Sequence, residues 1–240
     1  MNILMLSKRG DGLGIANRMA IEGNNVSMYV QKEGFDSAGD GLISMVSSWR
    51  PLLKDINLLI CDSNGFGNYE SVFKEFNIPT IGCSFIGDIL NEDPAKVRDL
   101  CTKADINYPR TISVDEPSDG TAIITEWPPS GVVVRSKSED GSSETLICGS
   151  KEILFWALSK YSPKDTVIIQ EAVEGVEVSV ECWFNGVSWL SPCLLCFDEY
   201  DITDDGSKLK TGTAIVKRRH PPKLFKDTLE KLTVFFSKIN

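Results

Sequence analysis

The segment Asn2-Ile3-Leu4-Met5-Leu6 is a short apolar run that lacks the alternation of a strand with one wet face. A strand of this kind must be covered on both sides, so it belongs in the middle of a parallel sheet packed between helices. The residues after it agree. Ser7-Lys8-Arg9-Gly10-Asp11-Gly12 reads as a turn, Leu13 to Glu22 has helical potential, and Val26-Ser27-Met28-Tyr29-Val30 returns to strand. This β-α-β order is the opening of a doubly wound α/β domain.

Leu58-Leu59-Ile60-Cys61 and Pro79-Thr80-Ile81-Gly82 read as further strands of the same sheet, with a helix from about Tyr69 to Phe76 between them. The pattern changes near residue 93. Pro94 suits the first position of a helix, Asp93 suits its cap, and Val97, Leu100, Cys101 and Ala104 form an apolar stripe. Extended segments are then expected at Thr111 to Val114, Gly131 to Arg135, Glu144 to Cys148 and Thr166 to Gln170, with a helix over Ser150 to Lys160. Gly175 to Phe184 and Val187 to Leu195 read as two long β segments joined at Asn185-Gly186, a strong hairpin signal. An acidic loop is expected from Asp198 to Gly206, and a strand at Thr213 to Val216. A closing helix carries Leu224, Phe225, Leu229, Leu232, Phe235, Phe236 and Ile239, and this stripe needs a covering surface or further chain.

Composition limits the partners. A formal charge of -9 argues against a nucleic-acid coat, and no apolar run reaches the ~20 residues needed to span a bilayer. Lys8 and Arg9 follow the first strand where a secretory signal would need a longer apolar region, so a cytoplasmic protein is expected. The 7 cysteines are odd in number and sit mostly in apolar segments, so they read as reduced thiols. Cys193 and Cys196 form a C-x-x-C without a second pair, and the single histidine is His220, which makes a poor zinc site.

Two segments can meet a ligand. Gly10-Asp11-Gly12-Leu13-Gly14 lies between the first strand and first helix, where backbone N–H groups can receive a phosphate or simply close a turn; the spacing is not a full dinucleotide fingerprint. The run Val167 to Val180 places Gln170 and Glu171 at a strand end, turns at Gly175, and returns Glu177 to the head of the next strand. An adenine edge and a ribose diol would use such groups, and a charged hairpin rim would look similar.

The run from Gln170 to Val180, with Gly131-Val132-Val133-Val134-Arg135 upstream, resembles the ATP-grasp superfamily, and most of all the phosphoribosylamine-glycine ligase group. The resemblance implies a doubly wound pre-ATP-grasp domain over residues 1–92, followed by an incomplete α+β ATP-grasp domain. Its small lobe and hinge would occupy residues 93–173 and part of its large lobe residues 174–240. It further implies that Lys96 and Arg135 approach the ATP phosphates, with arginine standing where lysine is usual. Gln170, Glu171 and the Val173 backbone would receive adenine, and Glu177 the ribose. Ser138 to Ser143 resembles the phosphate-covering loop, and Thr211-Gly212 part of the substrate loop, with Lys208 or Lys210 as nearby cations.

On this resemblance the chain is an ATP-dependent carboxylate-amine ligase acting through an acyl phosphate, in purine biosynthesis, with glycine and phosphoribosylamine as substrates. ATP and Mg2+ are the implied cofactors. The magnesium ligands fall beyond residue 240, so the 240 residues alone are expected to be inactive without further sequence or a partner chain. The alternative is a nucleotide-binding or protein-interaction module that has lost turnover.

Overall fold

Strand β1, Asn2–Ser7, alternates its side chains between two cores, which is why it has no polar face. In the computed structural model Ile3 and Met5 pack with Ala16 and Leu13 of helix α1, Leu13–Ile21. Leu4 and Leu6 pack on the opposite side with Trp49, Leu53 and Phe73. The structure describes residues 1–35, 37–114, 132–137, 143–161, 166–173, 175–203 and 208–238.

The chain divides into two compact units, Met1–Val97 and Arg98–Asn240. In the first, β1 is flanked by β2, Asn25–Val30, and by β4, Leu58–Cys61; β3, Ser44–Met45, and β5, Thr80–Ile81, form the edges. All of these pairings are parallel, so the first strand lies in the middle as its sequence requires. A 3-10 turn over Arg50–Lys54 and helix α2, Glu70–Glu75, supply the second face, where Trp49, Tyr69 and Phe73 stack edge to face. Helix α3, Phe85–Glu92, was not anticipated from sequence; Ser84 caps it by accepting from the Gly87 N–H. Helix α4, Pro94–Lys103, follows directly, with Asp93 accepting from the Ala95 and Lys96 N–H groups as expected of its cap.

The second unit holds two antiparallel sheets. The four-stranded sheet has the order β6-β9-β7-β8, with β6 at Thr111–Val114, β7 at Val132–Lys137, β8 at Ser143–Cys148 and β9 at Thr166–Glu171. One of its faces buries Val134, Leu146, Val167 and Ile169 against Leu154, Ala157 and Leu158 of helix α5, Lys151–Ser159. The three-stranded sheet runs β10-β11-β12: Val178–Glu181, Cys193–Ile202 and Lys208–Arg218.

This second sheet departs from the sequence expectation. The turn at Asn185-Gly186 does form, with the Asn185 carboxamide accepting from the Val187 and Ser188 N–H groups and Phe184 bridging Trp189. The two long arms do not. Pairing resumes only between Glu181 and Leu194, because Pro192 has no N–H to donate to a ladder. The acidic segment expected as a loop is strand through Ile202, since Asp198 to Ile202 pair along β12, and β12 in turn extends well beyond Thr213 to Val216. Helix α6, Lys223–Phe236, lies against the hairpin tip: the Trp189 indole N–H donates to the Leu229 carbonyl and the Thr233 hydroxyl, both at 2.8 Å.

Candidate functional site

The loop after β1 closes on its own side chains. Ser7 accepts from the Gly10 N–H at 2.8 Å, Ser63 from the Lys8 N–H at 2.9 Å, and Asp62 from the Gly12 N–H at 2.5 Å. A Cβ on residue 12 would lie 2.6 Å from both the Asp62 carboxylate and the Met5 sulfur, so a larger residue there would displace these two side chains. Of the two readings open for this loop, the structure favours the closed turn: the carboxylate of Asp62 stands where a ligand phosphate would sit at the start of α1.

In the second unit, β9 carries the adenine candidates. Gln170 is 8% exposed, stands opposite Thr111 in the ladder, and donates from its carboxamide to the Thr111 hydroxyl at 3.0 Å. That bond orients the carboxamide, leaving its carbonyl oxygen as the acceptor that an adenine amino group would meet. The half-buried Glu171 donates its backbone N–H to the Arg110 carbonyl at 2.9 Å. The chain then leaves the sheet, and Val173 is 72% exposed. Its N–H and C=O form no hydrogen bond among the described residues.

Glu177 stands one position before β10, at the end of the sheet where Val178 pairs with Phe197. It is exposed, and its carboxylate is approached at 3.4 Å by the Tyr200 hydroxyl. The same hydroxyl lies 3.4 Å from Asp198, which also accepts from Lys210 and from the Thr213 hydroxyl, both at 2.8 Å. Lys210 first, and then Thr213, hold the Asp198 carboxyl below the ordinary carboxylate range. Asp198 in turn raises the Lys210 ammonium. Partial burial, together with the charges of Glu177 and Asp198, pushes the Tyr200 phenol up, so the hydroxyl keeps its proton at neutral pH.

A bulge brings these groups to one face. Glu199 pairs with Gly212 while Tyr200 pairs with Lys210, so Thr211 is an extra residue in β12. Without it, Lys210 and Thr213 would point to opposite sides of the strand; with it, both reach Asp198. Thr211 and Gly212 are therefore mid-strand, not part of an open substrate loop. Sequence reasoning singled out Glu177 but missed Tyr200 as its neighbour, with Asp198 and Thr213 behind it. The i, i+2 spacing of Asp198 and Tyr200 was the available signal, hidden by reading the segment as loop.

Arg135 lies in β7 directly across from Ile168, two positions along β9 from Gln170. Lys96 is exposed in the first turn of α4, within the unit that ends at Val97. Residues 138–142 of the anticipated phosphate-covering loop lie outside the described residues, as does Glu174. All 7 cysteines are free thiols, and burial pushes that of Cys148 up to about 11, which suits an inert core residue. Among the described residues no group of three or more His, Cys, Asp or Glu side chains is arranged to hold a metal ion, so no Mg2+ site is assigned. Nor, among them, is any helix long and apolar enough to cross a membrane.

No family model and no curated protein sequence matches the chain. Solved structures do. Phosphoribosylamine–glycine ligase from Thermotoga maritima superposes with a TM-score of 0.65 at 19% identity, over 99% of this chain and 60% of that one. D-alanine–D-alanine ligase from Bacillus anthracis gives 0.60 at 15% identity, over 99% and 79%. A RimK-domain ATP-grasp protein from Sphaerobacter thermophilus gives 0.54 at 12% identity, over 98% of both chains. At these identities the likeness is one of architecture: this chain shares the fold of all three, the last of which is described as an ATP-grasp protein.

Proposed function

We propose that the chain binds ATP between the β9 hinge and the Glu177 end of β10, as a carboxylate-amine ligase of the ATP-grasp type. The observation that carries this is the hinge itself. A buried, oriented carboxamide at Gln170 is followed by backbone groups at Val173 that form no hydrogen bond among the described residues, and then by a carboxylate at Glu177 approached by the Tyr200 hydroxyl. Adenine asks for edge donors and acceptors from an extended segment, and a ribose diol for an ionised acceptor.

In the reaction this reading assigns, a substrate carboxylate oxygen attacks the γ-phosphorus of ATP, the bond to the β-phosphate oxygen breaks, and ADP leaves. An amine then attacks the acyl phosphate carbon. Inorganic phosphate departs, the nitrogen loses a proton, and an amide remains. Arg135 and Lys96 are the cations proposed to offset charge on the transferring phosphoryl oxygens. Glycine and phosphoribosylamine are the proposed substrates, with turnover requiring further sequence or a partner chain. The residues for each lobe are proposed as 93–173 and 174–240, after a first domain over 1–92.

A second reading, nucleotide binding without turnover, is favoured by one observation: Lys210, a candidate cation for the substrate side, is already held by Asp198.

Calorimetry with ATP tests the site. Glu177→Ala should weaken binding by about 1.5–3 kcal/mol, the usual worth of a hydrogen bond to a charged acceptor. Equal affinity in both proteins would remove Glu177 from the site. Assaying amide product and stoichiometric ADP, with and without added partner protein, separates the ligase from the binding module.

A further inference from the structure

The acceptor proposed for ribose does not stand alone. Glu177 sits at an exposed strand head, where a glutamate side chain would ordinarily sample several rotamers. Here the Tyr200 hydroxyl reaches it at 3.4 Å, and the same hydroxyl lies 3.4 Å from Asp198. The Asp198 side chain is 17% exposed and accepts from Lys210 and Thr213 at 2.8 Å each, with the β12 bulge aiming both at it.

We propose that Tyr200 is a positioning residue, whose hydroxyl holds the Glu177 carboxylate in place to accept from the ribose hydroxyls of the bound nucleotide. The inference rests on the nucleotide-binding reading above. A carboxylate offers about four lone-pair sites, so Glu177 can accept from Tyr200 and from a ribose hydroxyl together. The phenol also lies between two carboxylates, at equal distances from Glu177 and Asp198. Its one proton serves one carboxylate at a time, and Asp198 already accepts from Lys210 and Thr213, which leaves the proton for Glu177. Sugar selectivity then depends on a residue that does not touch the nucleotide.

The test compares ATP with 2′,3′-dideoxy-ATP on the 240-residue chain, for wild type, Tyr200→Phe and Glu177→Gln, by calorimetry. Wild type should prefer ATP. Tyr200→Phe, which removes only the hydroxyl, should lower that preference roughly threefold to tenfold while leaving dideoxy-ATP affinity within about twofold, and Glu177→Gln should lower it at least as far. A thermal melt of each variant confirms folding, and Glu177→Gln keeps the comparison open if Tyr200→Phe melts early. An unchanged preference in Tyr200→Phe overturns the inference, as does an equal loss for both nucleotides, which marks a merely structural role. Failure of wild type to bind ATP defeats the nucleotide reading itself. Loss of preference in Glu177→Gln without loss in Tyr200→Phe keeps that reading and sinks only the role of Tyr200.

Discussion

Lys210 and Asp198 illustrate how single residues set the chemistry of this sheet. Their pairing depresses the carboxyl and raises the ammonium, so it stabilises the fold over a definite pH window. The carboxyl's contribution is full above its ordinary value of 3.8 and is lost as pH falls through its lowered folded value. The ammonium's contribution is full below its ordinary 10.5 and is lost as pH rises through its raised value. Lys210→Met should therefore flatten both arms of a plot of urea midpoint against pH while preserving a folded chain. An acid arm as steep as that of wild type would show that the pair does not matter to stability. Nothing in the sequence around Lys210 told which way it faces, because that depends on Thr211 being unpaired, and pairing is a property of two strands.

At the scale of elements, the hairpin and α6 act as one piece through Trp189. Replacing Trp189 by Phe leaves a smaller aromatic ring beside Phe184 and Phe236 and removes the N–H shared by Leu229 and Thr233. The expected cost is about 1–2 kcal/mol, read as a lower denaturant midpoint; an unchanged midpoint would mean that the helix is held by its apolar side alone. Legibility at this scale followed the strength of the local signal. The unbroken apolar run of β1 announced a central parallel strand, and Asp93-Pro94 announced the start of α4. The arms of the hairpin were misread because alternation continues past Pro192, although the ladder cannot. Helix α3 escaped notice because it is short and carries Gly87, a weak helix former, just after its Ser84 cap.

For the whole molecule, the two units present their polar ends differently. The Val173 backbone groups form no hydrogen bond among the described residues, and the loop after β1 has bonded the Lys8, Gly10 and Gly12 N–H groups internally. Hydrogen exchange with and without ATP should accordingly show new protection at residues 170–182 and 198–213 and none at residues 8–14; protection confined to residues 8–14 would relocate the nucleotide. The parallel sheet of the first unit and the end of β9 at Glu171 were legible in the sequence because both rest on short apolar runs. The fate of the glycine loop was not, since Asp62 arrives from fifty residues away. That arrival also changes what the first unit is: its leading helix is born with its counterion covalently attached, so its electrostatics are settled by folding and do not wait for a visitor.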